Sequence, residues 1–426
     1  MSSSRAPGTF SSVVLWSVIS AAFIGPGTVT TAVTAGSQFG IDLLWCITFA
    51  TIACILLQEV SARITIASGL SLSEAIQIKF GARKGFWLKW IVGVSVILGC
   101  AAYEAGNILG AVSGISLFVD GDGKILTIII SIASALILWS NRAKWISWLM
   151  TLLVAMMGIA FLILALRGNL NGTDVVAKSI VPSWPQGSEL IILGLVGTTI
   201  VPYNLFIGSG ISKGQTVSLM RVGLTVSVVV GGLITAWILL AGTMVGEFSS
   251  FQELASAFEL KIGVAGVWAL GVGLFAAGFS SAITAPYAAS IIIRSTVNGE
   301  NKTYSNVAWI LVLFIGFLFG VSGVKPIPVI LVVQAINGLI LPLITLFLIL
   351  IVNDQKIVPL SHRHSDWYNI ILLFILGFVI FIGLNNVDKS ISAFLNWQGP
   401  HYLISTFIAV LVAAAVLLLR IRKPSR

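Results

Sequence analysis

The stretch Phe23–Gly40, FIGPGTVTTAVTAGSQFG, decides how this chain is read. It lies inside an apolar run long enough to cross a bilayer, yet Gly25-Pro26-Gly27-Thr28 interrupts it. Proline lacks an amide donor and clashes with the preceding turn, so a helix is expected to stop there. In hydrocarbon, non-helical backbone survives only where it is buried in protein or lines a cavity. The stretch carries no charge and is rich in threonine. It therefore predicts a mid-membrane break that offers neutral oxygens and backbone groups.

Working outward, the 426 residues are 57% hydrophobic and 9% charged, whereas soluble domains carry about 25% charged residues. A chain this apolar uses lipid as its solvent. Apolar runs of about 20 residues, separated by short polar clusters, favour membrane helices over a β-barrel. Twelve spans are expected, at 12–36, 41–66, 88–118, 124–140, 145–166, 189–212, 221–245, 264–293, 304–324, 327–352, 367–385 and 402–421. With both termini cytoplasmic, every Lys and Arg falls inside except Lys124, Arg167, Lys178, Lys261, Lys325 and Lys389. That asymmetry predicts a plasma (inner) membrane protein oriented by the positive-inside rule. It also accounts for the net charge of +9 without nucleic acid as a partner. The expected partners are the lipid bilayer and a small-molecule or ion substrate. Cys46, Cys54 and Cys100 lie in apolar runs without metal-site spacing and are expected to pack. The N-terminus, MSSSRAPGTF, is too short and polar for a cleaved signal peptide. No phosphate loop, nucleophile elbow or metalloprotease motif suggests an enzyme, and no cofactor is expected.

A second interruption occurs in TTIVPYNLFIGSG, Thr198–Gly210, around Pro202. Five spans per unit put the two breaks at matching places in units that insert upside down to one another. Paired interruptions of this kind mark a transporter's midplane site. The expected architecture is an all-α polytopic protein with an inverted five-plus-five helix repeat and broken helices 1 and 6. The first repeat is 12–166, the inverted second repeat 189–352, and 367–421 adds two C-terminal helices.

These segments resemble a known family. GPGTVTTAVTAGSQFGIDLLW and GTTIVPYNLFIGSG are similar to the first- and sixth-helix signatures of the natural-resistance-associated macrophage protein (NRAMP) family of divalent-metal transporters. LLQEVSARITIASGLSLSEAI, GLFAAGFSSAITAPYA and LVVQAINGLILPL match further family segments in the same order. The resemblance covers roughly 12–352 and implies the LeuT-type architecture. It implies less about cargo. Where the family has a metal-binding Asp and Asn at the first break, this chain has Gly25 and Thr28. Where the family has Met-Pro-His, this chain has Val201-Pro202-Tyr203, and a second family histidine matches Gly208. An Asp and Glu on the family's proton pathway match Glu104 and Asn107, and Gln334 matches a glutamine that can join the metal shell.

The candidate substrate-binding residues are therefore Gly25, Gly27, Thr28, Thr199, Val201, Tyr203, Asn204 and Gln334, with Glu104 and Asn107 as proton-pathway candidates and no metal ligands assigned. A desolvated divalent ion normally needs a carboxylate, and every side chain at the breaks is neutral. The sequence thus predicts a carrier of NRAMP-like descent that has lost its transition-metal site and moves a small polar or anionic solute, or a weakly coordinated cation. The alternatives are divalent-metal transport (Mg/Mn-type) through an altered shell, and a non-transporting receptor or scaffold. Glu59, four residues before Arg63, is expected to form a helical salt bridge near the inner face. His362, His364 and His401 are placed in loops, away from any intramembrane relay. The small-residue runs Ala276-Ala277-Gly278 and Ser280-Ser281-Ala282 are expected to serve helix packing.

Overall fold

The computed structural model describes residues 9–140, 143–168, 170–297 and 302–395, with a few more in 406–416; the side chains of 143–144, 331–332, 334–339 and 385–395 lie outside the description. The described residues form helices joined by short connections. In chain order these are α1 (Thr9–Phe23), α2 (Pro26–Phe39), α3 (Leu44–Ser68), α4 (Leu72–Phe80), α5 (Ala82–Ile115), α6 (Gly123–Trp139), α7 (Ala143–Ala165), α8 (Gly172–Ile180), α9 (Glu189–Thr199), α10 (Pro202–Ser212), α11 (Val217–Gly242), α12 (Phe251–Ile262), α13 (Val264–Val297), α14 (Lys302–Val321), α15 (Pro326–Val352) and α16 (Asp366–Leu395). They cover the first eleven expected spans. The twelfth, 402–421, falls largely outside the described residues. Among the described residues eight helices are long and apolar enough to cross a membrane, α9 and α10 counting as one, or nine with the bent α1–α2 pair taken as one span.

The elements end where local chemistry stops them. Ser71 accepts from the Glu74 amide and Glu74 reaches back, a capping box that starts α4. Gly69, at φ 73°, closes α3 in the left-handed conformation that glycine adopts freely. At the first break Ile24 still bonds back to Ser20, Gly25 is extended, and Pro26 takes the first helical position, where its missing amide costs nothing. The two halves meet at 62°. The second interruption differs from the sequence expectation of a matching break. Only Ile200 and Val201 leave helical geometry, and α9 and α10 continue with a bend of no more than 40°.

Around these pairs the bundle packs reciprocally. α1 lies on α11 as α10 lies on α3, and α7 covers α1 as α15 covers α9. The most extensive contact joins α5 to α13. There the backbones approach so closely that a Cβ on Gly114 would strike the Phe275 amide, and one on Gly278 would strike Ala111. Small residues at such crossings are how membrane helices gain packing energy when no water drives them together.

Candidate functional site

The break between α1 and α2 is fully enclosed: Gly25, Thr28, Val201, Tyr203 and Asn204 are all buried. A helix end leaves carbonyls without intrahelical partners, and here side chains from three elements claim them. Tyr203 Oη donates to Ala22 O at 2.8 Å, and Asn204 Nδ2 donates to Ile19 O at 3.4 Å. Ser281, on α13, donates to Ala21 O at 3.3 Å, and Ser280 shares its hydroxyl between Ala277 O in its own helix at 3.0 Å and Ala21 O at 3.3 Å. Thr28 Oγ1 donates to Phe23 O. The α9 end is treated likewise, with Tyr103 Oη donating to Gly197 O at 3.4 Å. Tyr103 and Tyr203 meet edge to face with ring centroids 5.6 Å apart.

The position of Gly25 shows why glycine is there. A Cβ would come 2.9 Å from Ser281 Oγ and 3.5 Å from Asn107 Oδ1. The space in which the family's aspartate would grow is therefore held by a serine from α13. Gly208 is a parallel case, because the oxygen of Gln58 sits where a side chain would begin. Asn107 presents its oxygen toward Gly25 while its Nδ2 donates to Glu104 Oε2 at 3.1 Å. Glu104 is wholly buried against Gly316 of α14, and its Oε1 has no hydrogen-bond partner. Asn204 Oδ1 is also buried without a partner. Among the described residues no three of His, Cys, Asp and Glu gather as a metal-holding group.

The structure thus brings together Gly25, Thr28, Tyr203, Asn204, Asn107 and Glu104. Gly27 and Val201 flank the breaks as buried backbone positions. Thr199 does not join them, since its hydroxyl turns back to Leu195 O in its own helix. Gln334 lies on α15, but its side chain is outside the described residues. Sequence reasoning missed Ser280 and Ser281, assigning both to packing. The available signal was a pair of hydroxyls inside an apolar span, and half of that run, around Gly278, does pack as expected.

The inner-face expectation needs one correction. Glu59 does pair with Arg63, but it also accepts from Arg221 Nε at 3.0 Å and Tyr368 Oη at 3.2 Å, and meets His364 Nε2 at 2.5 Å. His364 belongs to a loop in the sequence, yet its side chain is only 2% exposed, because the loop folds under α3. A histidine therefore does face an intramembrane carboxylate.

Among the described residues, apolar helices packed as a bundle around a bent break define the class: a polytopic membrane protein. Residues 17–387 match the family described as natural resistance-associated macrophage protein-like, and the chain belongs to that family. It is 25% identical over 358 residues to the divalent metal cation transporter MntH of Caldanaerobacter subterraneus, covering 80% of this chain and 84% of that one. It is 27% identical over 302 residues to the protein of the same name from Verminephrobacter eiseniae, covering 66% and 67%. A variant of the Eremococcus coleocola manganese transporter superposes with a TM-score of 0.77 at 19% identity, covering 99% and 96% of the two chains. Mhp1, a nucleobase-cation-symport-1 family transporter in a closed conformation, superposes with a TM-score of 0.58 at 15% identity, covering 99% and 96%. These structural likenesses support the LeuT-type fold.

Proposed function

We propose that this chain is a secondary transporter working by alternating access, with its cargo handled between the two interrupted spans. Its cargo is a hard divalent cation of the magnesium type, carried with part of its water, rather than a desolvated manganese or iron ion. The observation that carries this reading is the donor set around Gly25. Asn107 Oδ1, Ser281 Oγ and the Thr28 and Tyr203 hydroxyls are all neutral oxygens, and the Glu104 carboxyl stands one side chain behind, through Asn107. Neutral oxygens suit a cation whose inner shell is mostly water. Soft ions favour thiolate, thioether or imidazole, and the second break offers Val201 and Tyr203 instead. The names of the relatives favour a divalent cation as cargo. Glu104, by releasing its proton as the cation arrives, offsets the charge and couples the two movements.

The reciprocal packing of α1 on α11 and α10 on α3 supports the division into a first repeat (12–166), an inverted second repeat (189–352) and additional C-terminal helices (367–421). The distribution of Lys and Arg supports cytoplasmic termini.

One observation favours a small anion or zwitterion as a second reading. Gly25 supplies no side-chain cap to α2, so the first amides of that helix face the break with its positive dipole end. Thermal-shift titration of purified protein separates the two. Stabilisation by Mg2+, lost in Asn107→Ala and Thr28→Val, supports the first. Stabilisation by an amino acid or small acid, with no response to Mg2+, supports the second. Micromolar Mn2+ or Cd2+ binding at the break contradicts both.

A further inference from the structure

The cluster around Glu59 lies apart from the break and takes no part in holding cargo. Five side chains from three regions meet there: Glu59 and Arg63 on α3, Arg221 on α11, and His364 and Tyr368 in the segment that leads into α16. Glu59 Oε1 takes both arginines, and Oε2 takes His364 and Tyr368. The imidazole stacks on the Tyr368 ring at 3.9 Å. Arg63 also donates Nη1 to His362 O at 2.9 Å. The same segment is fixed on its other side to α15. Arg363 Nη2 donates to Asn353 O at 3.1 Å, and Asn353 Nδ2 donates to Asn369 Oδ1 at 2.8 Å.

The division of partners is the informative feature. Arg63 and Arg221 belong to α3 and α11, the helices packed on the interrupted spans. His364 and Tyr368 belong to the segment tied to α15. If α3 and α11 move away, Glu59 loses His364 and Tyr368 but keeps two guanidinium partners. A buried carboxylate stripped of every donor is strongly disfavoured. One that keeps two arginines separates and recloses reversibly.

We propose that residues 360–369 form an inner closure of the transport path, a latch in which Glu59 holds α3 and α11 to a segment anchored on α15. This inference rests on the alternating-access reading, and not on the nature of the cargo. The experiment uses the full chain with Cys46, Cys54 and Cys100 replaced by alanine and one reporter, Thr198→Cys. Thr198 is buried in the last turn of α9, two residues before the second interruption, and its hydroxyl donates to Leu195 O within its own helix. A membrane-impermeant maleimide is added to vesicles from the face that carries Arg63 and Arg221.

Labelling is expected to run about tenfold faster in His364→Ala and in Tyr368→Phe, each of which removes a hydrogen bond to Glu59 that opening must break. His364→Gln, which keeps an N–H for Glu59, is expected to label at the parent rate. Arg221 is half exposed and stays with Glu59 in both states, so Arg221→Ala is a control expected to label no faster than the parent. Equal rates in the parent, His364→Ala and Tyr368→Phe overturn the latch while leaving alternating access intact. A reporter labelled from that face in no background overturns the alternating-access reading and the latch with it.

Discussion

At the scale of single residues, Gly25 concentrates the argument. A carboxylate there would require the Ser281 hydroxyl to turn aside, because its Oγ would lie 2.9 Å from the new Cβ. Gly25→Asp is therefore expected to destabilise the protein by about 1–3 kcal/mol, the usual cost of overpacking. Adding Ser281→Ala should recover part of that loss, and thermal unfolding in detergent measures both. Tyr203→Phe leaves Ala22 O without its donor inside the membrane and is expected to cost about 1–3 kcal/mol in the same assay. Glu104→Gln keeps the shape and the Asn107 contact but cannot exchange a proton. Uptake measured across a pH series is expected to become independent of pH in that variant, while a parent-like pH profile would remove Glu104 from the mechanism.

These residues show how far the sequence could be read. Gly25 was legible as the residue before Pro26, where the resemblance implies an aspartate. What filled the vacated space was not visible. Ser281 is 256 positions away on α13, and a serine in an apolar helix looks the same whether it bonds its own backbone or a distant carbonyl. His364 was misplaced for a related reason. Loop composition predicts exposure, but the fold of 360–369 back under α3 is a tertiary event with no local signal. Glu59 and Arg63 were legible because helical spacing of four alone brings them together.

At the scale of elements, the two interruptions are unequal. The α1–α2 break bends by 62°, whereas α9 and α10 bend by no more than 40°. Proline chemistry is the same at both, with Pro26 and Pro202 each opening a helix. The difference lies in what precedes them. Gly25 adopts an extended conformation with nothing on its α-carbon, while Ile200 and Val201 are bulky, buried and packed. Sequence supplied the position of each break but not its angle, which the surrounding helices set.

The α5–α13 contact acts at the same scale. Gly278→Val would place branched carbons against the Ala111 backbone and force the helices apart. We expect a loss of about 3 kcal/mol or more in thermal unfolding, at the upper end of overpacking costs. An exposed control such as Val226→Ala on α11 should change little.

At the scale of the whole molecule, the account joins an enclosed, uncharged break to a charged latch at one face. Carbonyls at the break are held by Tyr203, Asn204, Ser280 and Ser281, so cargo enters only if some of those bonds yield. Opening toward the other side requires Glu59 to release His364 and Tyr368. Keeping the uncharged site and the charged gate on different helices lets the bundle rearrange without carrying an unpaired charge through lipid. The first eleven helical segments and the α1–α2 break were legible from composition and spacing. The two-sided anchoring of 360–369 was not, because it joins residues about 300 positions apart.

Uptake of Mg2+ into proteoliposomes, measured with Mn2+ as competitor, tests the central claim most directly. The account predicts that Mg2+ is taken up and that Mn2+ competes no better than Mg2+ itself. Abolition of uptake by micromolar Mn2+, or robust Mn2+ transport without any for Mg2+, would contradict it.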